Sequence, residues 1–481
     1  MSPRPSHKIL FASSEIYPLI KTGGLADVAQ SLPNALQDLD QKVVLLLPAY
    51  GSAKSQLASL TTLVQFSIQG EEVAILQSKL PGTDILLWLV DCPVFFEREG
   101  NPYLAADGNP WYDNAQRFGL FSRVIALIAA DQCGLNWRPD ILHCNDWQTA
   151  LAPALLHQKA NRPGIIFTIH NLAYQGIFSY EDFVQLQLPA QMWSFDALEY
   201  HEQLSFIKGG IVYADQVNTV SPSYALEIQT EEYGFGLDPL LRHCQDKLSG
   251  IVNGIDLQEW SPSGDQFIPH AFSESELKNK AKNKVALQKA LGLPDNKKTP
   301  MLSTISRLVT QKGIDLIVDV MEMLRDFDVQ IVILGSGEKQ FEQQLIAEAS
   351  LRPDHVSVTI GYDEALAHRI TAAADFFMMP SRFEPCGLNQ MYSQRYGTIP
   401  IVRATGGLKD TVVDEEDGAG NTGIVFAEDD SKVLFEAVLR GLHLYADKKR
   451  WKKIQRNAMK KDFSWKNSAK QYLALYEKAL R

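Results

Sequence analysis

Apolar and polar positions alternate along the chain with two different periods. "KILFA" (Lys8–Ala12) is a short continuous apolar run of strand length. Beyond a loop ending in "KTGG", Leu25, Val28, Ala29, Leu32, Leu36 and Leu39 recur at helical spacing, and "VVLLL" follows as another strand. This predicts a βαβ unit with glycines at the strand-to-helix turn. The pattern continues with "DILHC" (Asp140–Cys144), "TALAPALLH", "GIIFTIH" (Gly164–His170) and, after an irregular stretch, "QVNTV" (Gln216–Val220). Strands apolar at nearly every position, alternating with helices, predict an α/β fold with a parallel sheet wound on both faces.

A polar segment running from "NGIDLQEWSPSGD" (Asn253–Asp265) to "LGLPDNKK" (Leu291–Lys298) carries Pro262, Gly264, Pro269 and Pro294 and reads as a hinge. The alternation then restarts with "MLSTIS", "VQIVILG", "VSVTIG", "DFFMMP", "TIPIVRA" and "TGIVF", predicting a second α/β domain. In "WKNSAKQYLALYEKAL" (Trp465–Leu480), Ala469, Tyr472, Leu473 and Tyr476 share one helical face. A length of 481 residues suits two large domains. The net charge of −11, from 46 basic and 57 acidic residues, argues against nucleic acid or an anionic membrane as the main partner. No apolar run is long enough to span a bilayer. Five cysteines without a CxxC pair read as free thiols. With no signal-peptide h-region at the start, they imply a cytoplasmic-type protein, or a plastid protein with its transit peptide trimmed.

The turn "TGGLAD" near the start returns as "TGGLKD" at Thr405–Asp410. In doubly wound folds such turns line the ligand crevice, where backbone N–H groups and the helix N-terminus favour an anion. Lys21 precedes the first glycine pair and suits a phosphate. Arg307 and Lys312 stand five residues apart in "SRLVTQKG", between a strand and a helix, as a diphosphate clamp. Glu384, in "PSRFEPCGLNQ", either pairs with Arg382 or holds sugar hydroxyls and positive charge as a glycosyl group develops oxocarbenium character. Asp146 and His170 close two successive strands, a placement that opens onto a crevice. Neither GxGxxG nor GxxxxGK[ST] occurs, so the dehydrogenase and P-loop readings lose their main support. The DxD patterns at Asp38–Asp40 and Asp326–Asp328 lie beside helix-like segments, and no metal is expected.

These segments, with "HCNDWQTALAP", "TIHNLAYQG", "FIKGGIVYADQVNTVSPSYA", "IVNGIDLQEWSP", "GSGE", "IGYDE" and "DFSW", closely resemble the bacterial glycogen synthases and plant starch synthases, in the family's order from residue 8 onward. The resemblance implies a GT-B fold of two Rossmann-like domains facing across a deep cleft. It assigns residues 1–252 to the acceptor side, joined by the C-terminal helix 463–481, and residues 253–462 to the donor side. The implied reaction is retaining transfer of glucose from ADP-glucose to an α-1,4-glucan, without a cofactor or obligatory metal. Lys21 with Gly23 and Gly24, and Arg307 with Lys312, would meet the donor diphosphate. Tyr362 would lie against the adenine, with Gly335, Gly337, Gly387, Leu388, Thr405, Gly406 and Gly407 also on the donor. Glu384 would support the transition state and His170 would contact the sugar. Asp27, Tyr103, Asp146, Asn171 and Asn253 would line the sugar and acceptor side. Asn145 and Gln148 stand where the family often has histidines, and Asn389 where it has a threonine. A phosphorylase-like transferase and a catalytically dead glucan-binding protein are the competing readings.

Overall fold

The computed structural model describes residues 6–481 except 415, 417 and 419. Of these, residues 6–254 and 465–481 form one compact unit and those between 255 and 464 another. Both switches thus fall two residues beyond the expected boundaries.

In the first unit the strands are β1 (Lys8–Ala12), β2 (Lys42–Pro48), β3 (Thr61–Ile68), β4 (Glu71–Lys79), β5 (Leu86–Asp91), β6 (Ile141–Asn145), β7 (Gly164–Ile169), β8 (Ile177–Phe178), β9 (Glu199–Tyr200), β10 (Gln203–Ser205), β11 (Gln216–Thr219) and β12 (Leu248–Gly250). Nine form a sheet in the order β12-β11-β7-β6-β1-β2-β5-β4-β3. It is parallel from β12 to β5, and the β3–β4 hairpin adds an antiparallel edge. The hairpin turns at Gln69 and Gly70, both at positive φ (53° and 90°), which matches the twist of the flanking strands. The irregular stretch before β11 contains a small antiparallel sheet, β8-β10-β9.

The C-terminal helix Trp465–Ala479 packs in this first unit. Its predicted face is anchored by hydroxyls as well as by apolar contact. Tyr476 Oη lies 2.9 Å from His143 Nδ1, and Tyr472 Oη accepts from Asn218 Nδ2 at 2.9 Å. Burial holds His143 neutral, with its pKa lowered to about 3.

The second unit contains β13 (Met301–Ile305), β14 (Gln330–Gly335), β15 (Val356–Ile360), β16 (Phe376–Met379), β17 (Ile399–Arg403) and β18 (Ile424–Phe426), all parallel, in the order β15-β14-β13-β16-β17-β18. Alternate residues enter opposite cores. Leu302, Ile331 and Ile333 join one apolar cluster, and Met301, Val332 and Leu334 another. Burial on both faces explains why these strands lack a polar alternation.

The segment read as a hinge is instead part of this unit. It contains the helix Lys278–Ala290, whose buried face is largely lysine and amide: Lys280, Asn283, Lys284, Leu287 and Gln288. Lysines are usually solvated, so the pattern reads as polar. Here Lys284 pairs with Asp375 at 2.5 Å and bonds the Thr299 carbonyl. Lys280 donates to Ala372 O (2.9 Å) and Thr398 Oγ1 (2.6 Å), and burial lowers its pKa to about 7.

The preceding loop docks through Trp260, which stacks between His368 (3.9 Å) and Tyr392 (3.8 Å). Asp265 accepts from His368 Nδ1 (2.8 Å) and from Tyr396 Oη (2.7 Å). Burial opposes a charge on His368, but Asp265 and Glu364 outweigh it and raise its pKa to about 9. Glu259, Glu364 and His368 bring ligand atoms within 4.8 Å of one another. A charged ring makes His368 the cation of that cluster, with Nε2 3.4 Å from Glu364.

Because the folded pKa lies above the unfolded value of about 6.5, this stabilisation is complete below pH 6.5 and is lost as pH rises through 9. Lys280 acts in the opposite sense: its pKa of about 7 lies below the unfolded value, so the folded state gains as pH rises above 7. The His368 part is read as the difference in urea stability between wild type and His368→Gln. That difference should shrink by up to about 3 kcal/mol between pH 6.5 and 10, from 1.36 kcal/mol per pKa unit; a difference that does not change with pH would refute the assignment.

Candidate functional site

The carboxyl ends of all six strands in the second unit lie on one edge of the sheet. Strand order reverses between β13 and β16, the point where a doubly wound sheet opens a ligand crevice. The loop after β13 carries Arg307 and Lys312; the loop after β16 carries Ser381 to Leu388. Lys312 Nζ lies 2.5 Å from Glu384 Oε2, and Ser381 Oγ donates to the same oxygen at 3.1 Å. Both members of the ion pair are largely buried.

Arg382 does not pair with Glu384. Its guanidinium holds Asp315 in a two-point contact (2.8 and 2.7 Å) and Asp429 at 2.8 Å, and these bonds raise its pKa. Glu384 is therefore left to Lys312 and Ser381. Arg307 Nη2 reaches Gln311 Oε1 at 3.4 Å.

Glycines let these loops approach one another. A Cβ on Gly335 would sit 2.0 Å from Ser306 O, and one on Gly407 would sit 2.1 Å from Cys386 O. Gly337 is bridged to Leu308. Gly407 N–H donates to the Glu384 carbonyl at 3.0 Å, tying the Thr405–Gly406–Gly407 turn to the loop that bears the carboxylate. Thr405 is the N-cap of the helix Gly406–Thr411. Gly387 has φ +70° just before Leu388, the N-cap of the helix Asn389–Arg395. Asn389 Nδ2 turns back to Ile305 O, the last residue of β13, at 2.7 Å. Its side chain thus positions the loop. Tyr362 stands 71% exposed in the loop after β15.

In the first unit the reversal lies between β1 and β6. Lys21, Gly23, Asp146, His170 and Asn171 lie in the loops after β1, β6 and β7, while Asp27 is on the helix that follows the first of these loops, Tyr103 lies after β5 and Asn253 after β12. Glu15, which sequence reasoning missed, is their organiser. Its buried carboxylate accepts from the Thr22 backbone N–H, from Thr22 Oγ1 (2.6 Å), from Gly23 N–H (3.2 Å) and from Tyr103 Oη (2.7 Å). The first glycine turn is therefore held by an internal anion, and Gly23 N–H is already engaged. Gly24 begins the helix Gly24–Gln37. Lys21 pairs with Asp27 at 2.8 Å and lies 5.4 Å from the Tyr17 ring.

The two glycine turns are not topological equivalents. One follows the first strand of its unit and the other follows β17, the fifth strand of the second unit. Their likeness is one of local geometry.

Asp146 has φ 55° and ψ 178°, a conformation L-residues rarely adopt and one often retained at functional sites. Its Oδ1 accepts the His170 N–H at 2.7 Å. Burial pushes its carboxyl up to about 7, against the pull of the His170 and Asn171 N–H groups. Burial also lowers the His170 pKa to about 3, so its ring is neutral. Asn171 Oδ1 accepts from Ala173 N at 3.1 Å. Gln148 is buried and its Oε1 has no hydrogen-bond partner among the described residues. The same is true of Asn253 Oδ1, next to the switch into the second unit.

Beside Asp146 and Asn171 lies a cavity of about 520 Å³ lined by Pro110, Asn114, Trp147, residues 173–178 and Phe235. Gly176 admits Trp147, whose ring would meet a Cβ there at 2.5 Å. The aromatic residues in "HCNDWQ" and "NLAYQG" were the available sequence signal for it.

The family model for the starch synthase catalytic domain matches residues 8–243, and that for glycosyl transferases group 1 matches residues 289–458. A glycogen synthase of Cellvibrio japonicus is 54% identical over 475 residues, covering 98% of this chain and 99% of that protein. Glycogen synthase 1 of Methylococcus capsulatus is 52% identical over 477 residues, covering 98% and 97%. The catalytic domain of starch synthase IV from Arabidopsis thaliana, solved with ADP and acarbose, matches with a TM-score of 0.90 at 33% identity, covering 99% of this chain and 100% of that one. These likenesses, together with two Rossmann-like units of the GT-B kind, place the chain in the glycogen and starch synthase family of glycosyltransferases.

Proposed function

We propose that this chain transfers glucose from ADP-glucose to the non-reducing end of an α-1,4-glucan with retention of configuration. The observation that carries this reading is the buried Lys312–Glu384 pair at the strand-order reversal of the second unit, with Arg307 on the same loop as Lys312. Departure of a nucleoside diphosphate concentrates negative charge, and fixed cations in a water-poor site stabilise it more than water does. Arg307 and Lys312 supply those cations. Glu384 supplies the opposite charge, next to a sugar that becomes positive as its bond to the diphosphate breaks. With the diphosphate met by lysine and arginine, the reaction requires no metal or other cofactor.

Tyr362 serves the adenine. The turns at Gly335, Gly337, Gly387, Leu388 and Thr405 to Gly407 shape the remainder of the donor pocket. In the first unit, Asp146, His170 and Asn171 serve the sugar. The adjoining cavity takes the glucan, because aromatic walls with a few polar groups suit the flat apolar faces of glucose rings. Asp27, Tyr103 and Asn253 complete that side. ADP in the starch synthase IV structure and the names of the bacterial relatives support the donor and polymer assignments. Among the described residues no helix is long and apolar enough to cross a membrane. The free thiols of Cys92, Cys133, Cys144, Cys244 and Cys386 suit a reducing, cytoplasmic setting.

The test is glucan growth and nucleotide release from glycogen with ADP-glucose or UDP-glucose. ADP-glucose is expected to be used at least tenfold faster. Arg307→Ala and Lys312→Ala are each expected to lower turnover about a hundredfold or more in folded protein. Growth from neither donor, or unimpaired variants, would refute the reading.

A further inference from the structure

The donor and acceptor logic around His170 is closed on one side and open on the other. Asn145 is the last residue of β6 and is fully buried. Its Nδ2 donates to Ala12 O, at the end of neighbouring β1, at 3.0 Å. A carbonyl demands a donor, so the amide nitrogen faces Ala12 and Oδ1 is turned to His170 Nε2, 2.9 Å away. Oδ1 can only accept, so Nε2 carries the hydrogen. The ring has a single N–H, which leaves Nδ1 as a bare lone pair. Nδ1 has no hydrogen-bond partner among the described residues and is not sealed from solvent.

We propose that Asn145 is a positioning residue that fixes His170 as the Nε2–H tautomer, so that Nδ1 is offered as a hydrogen-bond acceptor to a hydroxyl of the transferred glucosyl group. The hydroxyl's identity rests on the proposed function; the tautomer does not. The opposite tautomer would set two lone pairs against each other at Nε2 and Oδ1 and would present a donor where the acceptor now stands. The other titratable groups in this neighbourhood are His143 on β6, Asp146, whose carboxylate takes the His170 backbone N–H, and Glu15, whose charge acts on Asp146.

The test is nitrogen NMR of the full chain labelled with 15N-histidine, using His170→Gln to assign the ring signals. Wild-type His170 is expected to show a protonated Nε2 and an unprotonated Nδ1 throughout pH 5.5 to 8. Asn145→Leu removes the acceptor; the two nitrogens should then average towards each other, and kcat should fall tenfold or more with the KM for glycogen little changed. Asn145→Asp restores an acceptor, so the Nε2–H signal should return in alkali. Its negative charge would draw a second proton onto Nδ1 in acid, so activity should fall with acid through a titration that wild type lacks. A protonated Nδ1 in wild type, or an unaltered ring spectrum in folded Asn145→Leu, would overturn the proposal. The expected tautomer in a protein that makes no glucan would overturn the sugar contact together with the proposed function, and the NMR result identifies which of the two has failed.

Discussion

Glu384→Gln is expected to lower glucosyl transfer from ADP-glucose about a thousandfold while leaving the chain folded. Glutamine is nearly the same shape and retains an oxygen for Lys312 and for Ser381 Oγ, which now meet the carboxylate at 2.5 and 3.1 Å. The loop itself is held through the backbone, because Gly407 N–H bonds the Glu384 carbonyl and Arg382 N–H bonds the Gln311 carbonyl at 2.8 Å. What the substitution removes is a negative charge in a buried setting. Deleting one preorganised electrostatic partner of a transition state costs about 10²–10³ in turnover, and a full charge lies at the upper end of that range. The loss should appear in kcat, with little change in the KM for ADP-glucose. The melting temperature should move by only a few degrees, because glutamine keeps a hydrogen bond to Lys312 and the lysine side chain, 17% exposed, retains contact with water. A variant with wild-type kcat would remove Glu384 from the chemistry, and an unfolded one would make it a structural residue.

Asp375→Ala is expected to destabilise the second unit by about 3–5 kcal/mol, the range for breaking a buried ion pair from one side. Asp375 precedes β16. Its Oδ2 accepts both Lys284 Nζ (2.5 Å) and the Met301 N–H (2.8 Å), and its own N–H bonds the Met301 carbonyl at 2.9 Å. Lys284 is 2% exposed, so removing the carboxylate strands a cation with only neutral partners. The same change frees an amide at the start of β13, the strand that leads to Arg307. Denaturant unfolding followed by tryptophan fluorescence measures the effect. Replacing both partners, as Lys284→Met with Asp375→Leu, should recover much of the loss, because two apolar groups leave no buried charge. A cost below about 1 kcal/mol for Asp375→Ala would show that the pair contributes little.

Much of the fold was legible because strands buried on both faces read as continuous apolar runs. β1, β2, β6, β7, β14, β16 and β17 were visible for that reason, whereas the edge strand β15 alternates as VSVTI and is only partly buried. The helix Lys278–Ala290 was not, since it buries lysines whose partners, Asp375 and Thr398, lie about a hundred residues away in sequence. β3 and β4 form an edge hairpin whose turn carries the weak signal Gln-Gly, and β8 to β10 are only two or three residues long.

At the site, strand-end loops drew notice to Lys312, Glu384, Asp146 and His170 through residue type and position. Glu15 passed unnoticed because a lone carboxylate in "SSEIYP" reads as a solvated loop residue. Its role becomes visible only when Thr22, Gly23 and Tyr103 converge on it. Whether Arg382 pairs with Glu384 stayed open in the sequence for a related reason. Its neighbour in sequence is Glu384, but its partners in space are Asp315 and Asp429.

The most direct measurement is to extend a short maltooligosaccharide with ADP-glucose, using wild type and Glu384→Gln side by side, and to read the new linkage by proton NMR. Elongation by α-1,4-linked glucose with matching ADP release, lost in Glu384→Gln, is the predicted result. An inverted linkage, no elongation by folded wild type, or equal elongation by the variant would contradict the account.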